Sequence, residues 1–230
     1  MIKVLQNWEE IKEAGEFLSS NVLPKHGHSP EKNWDLYQLH SVVESMPKEA
    51  EIIDLGCGDL FALKLLHALG FKNLYGIDLC VSPRNRLRQG FIMLKERSLR
   101  LPFHLCKGDL TKTRFPSGMF GLAVCISVIE HGVNIERLFA ETHRLLKPGG
   151  ILFITTDYWE EEIMVAQDNK PFGQSWRIFS KKDAENIINT AYKYGFSLFE
   201  NSFVPACQAK CIVWNEQEYT FLAIVFKKTS

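Results

Sequence analysis

Residues Glu51-Ile-Ile-Asp-Leu-Gly-Cys-Gly-Asp-Leu60 carry the strongest structural signal in this chain. A short apolar run ends on the carboxylate of Asp54, and Gly56 and Gly58 follow at once. The apolar residues after them are typical of a helix. The stretch therefore predicts a buried strand, a tight glycine turn and a helix start. In a doubly wound α/β sheet, a turn of this kind lies where a cofactor binds.

The spacing of the glycines separates the possible cofactor classes. Dinucleotide-binding turns read Gly-x-Gly-x-x-Gly, but the last of these positions is Phe61 here. The phosphate-binding loop of nucleoside triphosphatases is also excluded, because no Gly-Lys-Ser/Thr follows. The turn suits a ligand without phosphate, and Asp54 suits an ammonium or sulfonium group. A turn that binds nothing is the alternative at this point.

Apolar runs and helical segments alternate from residue 51 to residue 156, which predicts a mostly parallel sheet. The predicted strands cover residues 52–55, 73–78, 103–106, 120–126, 151–154, 196–203 and 219–226. No helix separates the last two, so the final strand should run antiparallel to the others. The predicted fold class is therefore α/β: a doubly wound, mostly parallel seven-stranded sheet with an antiparallel last strand.

The overall composition restricts the partners. Lys+Arg and Asp+Glu both total 27, which disfavours nucleic acid and acidic membrane surfaces as partners. No signal peptide and no apolar run of membrane-spanning length is visible. The six cysteines lack the spacing of a metal site. We expect a cytoplasmic protein with reduced thiols, no membrane partner and no metal; the sequence leaves the oligomeric state open.

Three carboxylates follow three successive predicted strands: Asp54, Asp78 and Asp109. Ligands of open α/β sheets bind outside these strand ends. Asp78 lies 78 − 58 = 20 residues after Gly58, a distance at which a carboxylate can accept hydrogen bonds from both hydroxyls of a ribose. Each aspartate alone could merely cap a helix. Three at matching strand ends favour a cofactor site.

Residues 51–157 together resemble the class I S-adenosylmethionine (SAM) dependent methyltransferases. The first motif of that family reads acid-x-Gly-x-Gly-x-Gly, and Leu60 stands in place of its last glycine. The segments 74–78, 108–110 and 145–153 are similar to its ribose-binding strand, its adenine-side motif and its helix-to-strand-five junction. The resemblance implies SAM as cofactor, bound by Asp54, Gly56, Gly58, Asp78, Leu79, Asp109, Leu110 and Ser127.

In this family the loop after the fourth strand, here residues 127–131, faces the transferring methyl group. His131 is a candidate general base, because an imidazole can take a proton near neutral pH. Asp157 is a second candidate; either residue could instead only cap or pack. Some relatives bind a metal through Glu-x-x-Glu-His. Ser127 occupies the first of those positions, so we expect no catalytic metal.

The resemblance implies a methyltransferase that acts on a small molecule, with O-methylation of a sugar or other metabolite as the preferred reaction. Residues 1–48 are predicted to form N-terminal helices that cover the substrate, and residues 49–230 the SAM-binding domain. Two alternatives remain: a non-catalytic SAM-binding or regulatory domain, and a methyltransferase that acts on RNA or protein.

Overall fold

The computed structural model describes residues 1–97, 101–200 and 203–229. These residues form nine strands: β1 (Ile2–Val4), β2 (Glu51–Leu55), β3 (Asn73–Asp78), β4 (His104–Lys107), β5 (Phe120–Ile126), β6 (Leu146–Tyr158), β7 (Phe196–Leu198), β8 (Ile212–Trp214) and β9 (Gln217–Lys228). They also form six α-helices: α1 (Trp8–Ser20), α2 (Asn33–Val43), α3 (Phe61–Ala68), α4 (Pro83–Glu96), α5 (Ile135–Leu145) and α6 (Lys181–Lys193).

The strands form one mixed sheet with the order β1-β9-β6-β5-β2-β3-β4. Strands β2 to β6 run parallel to one another, and β9 runs antiparallel to β6. Neighbouring residues of β2 enter different apolar clusters, since Ile52 belongs to one and Ile53 to the other. This alternation places a core on each face of the sheet. The predicted α/β fold class is confirmed.

Several boundaries differ from the predicted ones. The sheet gains two three-residue strands, β1 and β8, which both pair with β9 and are too short for a sequence pattern to reveal. Strand β7 ends at Leu198, and residues 201–202 of the predicted strand 196–203 lie outside the described residues. Strand β6 begins at Leu146, ahead of the predicted start at residue 151, because Lys147–Gly150 form a bulge against β5.

The N-terminal residues share their core with the rest of the chain. Strand β1 pairs with β9, and Ile11, Leu18 and Trp34 of α1 and α2 belong to the same apolar cluster as Ile52. The rings of Trp34 and Phe221 lie 6.5 Å apart. The division of the chain at residue 48 into N-terminal helices and a SAM-binding domain stays a prediction. Within the described residues, no helix combines the length and the apolar character needed to cross a membrane.

Candidate active site

A cavity of about 570 Å³ opens at the carboxyl ends of β2, β3, β5 and β6. It lies between the turn after β2 and the segment that leads into α2. Seven of the residues singled out by the sequence line it together: Asp54, Gly56, Gly58, Asp78, Ser127, His131 and Asp157. Parallel strands thus bring residues as far apart in sequence as Asp54 and Asp157 to one edge of the sheet.

The turn after β2 is held by backbone hydrogen bonds. The amides of Gly56 and Cys57 both donate to the carbonyl of Ile77, at 2.8 and 3.2 Å. Gly56 has φ +88°, and a Cβ there would lie 2.5 Å from Cγ2 of Val128. Only glycine fits this position, because any side chain would meet both the backbone restriction and the collision.

The carboxylate of Asp78 is fixed to the same turn. Its Oδ2 accepts the amide of Gly58 at 3.0 Å, and its Oδ1 accepts the amide of Cys80 at 2.8 Å. A carboxylate oxygen can accept a second hydrogen bond, so both oxygens retain capacity for the hydroxyls of a ribose. The side chain is therefore positioned before any ligand arrives.

Asp54 lies behind the turn and is almost completely buried. Burial and the nearby charge of Asp78 raise the pKa of Asp54 to about 8. The free protein therefore holds this carboxyl largely protonated at neutral pH. A cationic ligand would favour its ionised form, so this end of the cavity suits a sulfonium or ammonium group.

The opposite end of the cavity contains a charged cluster that the sequence did not predict. The Nζ of Lys32 donates to Oγ of Ser127 at 2.6 Å, and it lies 3.9 Å from Oδ2 of Asp35. It also sits 4.0 Å from the centre of the Phe221 ring. Lys32 thereby joins the turn before α2 to the loop after β5.

Two further buried carboxylates complete this cluster, which we call the acid cluster: Lys32, Asp35, Glu130 and Asp157. Oε2 of Glu130 accepts the hydroxyl of Thr156 at 3.1 Å, and Oδ2 of Asp157 accepts Nε1 of Trp176 at 2.8 Å. Burial raises the pKa of all three carboxyls, that of Asp35 to about 6. Burial alone would lower the pKa of Lys32, but the carboxylates outweigh it and raise that pKa.

His131 lines the cavity beside the acid cluster. Burial and the charge of Lys32 lower its pKa, so the imidazole stays neutral at neutral pH. Its Nδ1 makes no hydrogen bond within the described part of the chain, and the ring of Phe172 stands 5.5 Å away, edge to face. Nδ1 is itself buried, and the neutral imidazole as a whole lines the cavity, where such a ring can act as a proton acceptor.

Comparison with known proteins agrees with this geometry. Residues 53–154 match the family described as "Methyltransferase domain". A malonyl-[acyl-carrier protein] O-methyltransferase of Legionella pneumophila is 31% identical over 106 residues, which is 46% of this chain and 35% of that protein. A ubiquinone biosynthesis O-methyltransferase of Pseudomonas aeruginosa is 26% identical over 46% of this chain and 44% of that protein. This chain spans less than half the length of either relative.

Solved structures share the fold. A geranyl diphosphate C-methyltransferase of Streptomyces coelicolor, bound to S-adenosyl-L-homocysteine, superposes with a TM-score of 0.65 at 15% identity, over 89% of this chain and 85% of that one. The [4+2]-cyclase SpnF gives a TM-score of 0.62 at 15% identity, over 99% and 98%. Residues 53–154 therefore match a methyltransferase domain, and the fold is one found in SAM-dependent methyltransferases. SAM is the cofactor of this family.

Leu60 stands where these methyltransferases have the last glycine of their first motif. It has φ +64° and ψ +23°, the left-handed conformation that glycine adopts without cost. That conformation costs a leucine about 1–2 kcal/mol. The side chain is fully buried in the core, which contributes about 1.5–3 kcal/mol. The turn therefore keeps its shape although the motif glycine is missing.

Three residues that the family resemblance assigned to the cofactor do not line the cavity. Oδ1 of Asp109 accepts the amide and the hydroxyl of Thr111, both at 2.8 Å, which closes a local turn. Leu110 is packed in the core, and Leu79 is mostly exposed. Their part in binding the adenosine stays a prediction.

Proposed function

We propose that this methyltransferase transfers a methyl group from SAM to an oxygen of a small molecule, such as a sugar or another metabolite. One observation carries the proposal: a single cavity joins the glycine turn and Asp78 to His131 and Asp157. A cofactor bound at the glycine turn and Asp78 would direct its reactive group towards His131 and Asp157. Residues 1–48 contribute Lys32 and Leu36 to the wall, in keeping with a cover over the substrate.

The residues at the turn fit SAM. Gly56 has no Cβ to block the ligand, and Asp78 retains lone pairs for two hydroxyls. The sulfonium of SAM would give the carboxyl of Asp54 a positively charged neighbour. When bound, SAM supplies an activated methyl group on a positively charged sulfur. The protein's contribution is to hold the acceptor in line with that group and to exclude water.

His131 is our candidate for the general base. Its neutral imidazole, which lines the cavity, would take the proton of the acceptor hydroxyl while the hydroxyl oxygen forms its bond to the methyl carbon. Asp157 remains the second candidate, but its Oδ2 already accepts a hydrogen bond from Trp176, and burial favours its protonated form. Phe172, Trp214 and Phe221 supply the aromatic walls of this end.

The relatives support a small-molecule substrate, because one is named as a ubiquinone biosynthesis O-methyltransferase and one structural neighbour holds geranyl diphosphate. SpnF shows that the same fold is also found in a cyclase, so methyl transfer itself needs a test. All six cysteines are free, which supports a cytoplasmic location.

The test is incubation of the purified protein with methyl-labelled SAM and a metabolite extract, followed by mass spectrometry. We expect a labelled small molecule that disappears with His131→Ala although SAM still binds. SAM binding without any labelled product would instead indicate a non-catalytic SAM-binding domain. Label found in added RNA or protein fractions would contradict the small-molecule substrate.

A further inference from the structure

Helix α4 exposes three large apolar side chains and buries two polar ones. Leu87, Phe91 and Leu94 are 65%, 71% and 76% exposed, whereas Asn85 and Gln89 are buried. The three apolar residues are spaced by four and three positions, so they form one stripe along the helix. Amphipathic helices of globular proteins normally have the opposite orientation.

Specific contacts fix this orientation. Nδ2 of Asn85 donates to the carbonyl of Gly58 at 2.9 Å, and Arg88 contacts the carboxylate of Asp59 at 2.6 Å. Gly58 and Asp59 both line the cavity. The inner face of α4 is therefore hydrogen-bonded to the cofactor turn, and a rotation that buried the stripe would break these hydrogen bonds.

Basic residues border the stripe on both sides. At about 100° per residue, Arg84 and Lys95 lie about 60–80° to one side of Leu87, and Arg86 lies about 100° to the other. Glu96, the single acidic residue within α4, lies on the inner side and contacts His67 at 2.7 Å. The chain as a whole has no net charge, so this positive border is local.

We propose that α4 docks the protein on an anionic membrane surface. The stripe would enter the boundary between headgroups and acyl chains, and the flanking arginines and lysine would contact lipid phosphates. This is peripheral binding, and it revises the expectation, drawn from the balanced composition, that no membrane takes part. It would also bring the cofactor turn close to the lipid surface, because α4 is bonded to that turn.

The charge around the stripe favours a bilayer over a protein partner. The border carries one sign of charge, which matches a uniformly anionic surface. A second copy of the chain, paired through α4 about a two-fold axis, would bring two positive borders together.

The test is co-sedimentation of the full chain with vesicles. The first set is phosphatidylcholine with about 30% phosphatidylglycerol, which gives a negative surface, and the second is phosphatidylcholine alone. We expect binding to the first set, at least tenfold weaker binding to the second, and release as salt rises from about 0.1 to 0.5 M.

Matched variants separate the contribution of the apolar stripe to vesicle binding from that of the basic border. Phe91→Ser should weaken binding about tenfold or more, whereas Phe203→Ser, at a side chain that is 95% exposed, should not change it. Arg84→Gln with Arg86→Gln should weaken binding about fivefold for each arginine, and Arg114→Gln with Arg137→Gln should not.

Circular dichroism would verify that all variants fold. Absence of vesicle binding by the wild type would overturn the proposal, as would equal effects of the two phenylalanine variants. Two other results would also overturn the proposal, because they would assign the stripe to another occupant. One is a dimer that Phe91→Ser dissociates, and the other is a stable complex with an acidic protein in place of vesicles.

Discussion

The two ends of the cavity are built in different ways. The cofactor end is formed by the turn after β2 and by Asp78. Backbone amides hold it together, because that of Gly56 donates to the carbonyl of Ile77 and that of Gly58 donates to Oδ2 of Asp78. The acceptor end, which contains His131 and the acid cluster, consists of side chains from distant segments, and Nζ of Lys32 donates to Oγ of Ser127 across 95 positions. The cofactor end is a turn held by backbone hydrogen bonds, and the acceptor end contains a cluster of buried charged side chains.

This difference assigns different roles to the two ends. A turn made of backbone groups fits a ligand common to the whole family, because it does not depend on which side chains surround it. The acid cluster holds three carboxylates for one ammonium, so its charge state responds to each substitution and to each ligand group. We therefore expect substrate selection to lie at the acceptor end.

Removal of the one cation of the acid cluster should have the largest effect. Lys32→Met would leave Asp35, Glu130 and Asp157 without a positive partner, and we expect a loss of about 3 kcal/mol of unfolding free energy in urea denaturation. Lys12→Met is the matched control, since Lys12 pairs with Glu9 on the surface, and it should leave stability unchanged.

A double variant sharpens this prediction. Lys32→Met with Asp35→Asn removes one charge of each sign and should recover part of the lost stability. Equal stabilities of Lys32→Met and Lys12→Met would show that the acceptor end does not depend on its charge balance.

Substitutions in the turn should act through backbone shape. Gly56→Ala combines a left-handed φ with the collision against Val128, and we expect it to cost about 2 kcal/mol and to abolish SAM binding. In Gly58→Ala the new Cβ would meet its nearest atom at 3.9 Å, so this variant should be clearly milder. Chemical denaturation and SAM titration of both variants measure the difference; equal losses would argue against the close approach at Gly56.

The smallest expected effect is a pH dependence at the cofactor end. Asp54 has a pKa of about 8 in the free protein, and a cation favours its ionised form. Below pH 8 SAM must therefore displace a proton, so its affinity should fall with falling pH, by up to about tenfold per unit. The ratio of wild-type to Asp54→Asn affinities isolates this effect, since the variant cannot titrate. A ratio that does not change with pH would exclude Asp54 from cofactor binding.

The sequence revealed the cofactor end well because its signals are local. Asp54, Gly56 and Gly58 stand within five residues, and Asp78 follows at the end of the next strand. The left-handed Leu60 was visible only as a missing glycine. Its burial, which keeps the turn in shape, depends on core residues that the motif does not contain.

The acceptor end could be predicted only in part. His131 follows β5 and Asp157 lies at the carboxyl end of β6, so the order of strands was enough to place them at the cavity. Lys32 precedes α2 in a polar segment, and nothing in that segment indicates that its Nζ reaches Ser127. The inward polar face of α4 was equally hidden, because helical periodicity shows that a helix has two faces and not which one the core receives.

Calorimetric SAM titration combined with a methyl-transfer assay tests most directly whether the two ends have separate roles. Asp78→Ala should weaken SAM binding at least about a hundredfold, because two hydrogen bonds to a charged acceptor are lost. His131→Ala should bind SAM within about threefold of the wild type and lose transfer to the labelled metabolite. Wild-type SAM affinity in Asp78→Ala, or loss of SAM binding in His131→Ala, would contradict the division of the cavity into a cofactor end and an acceptor end.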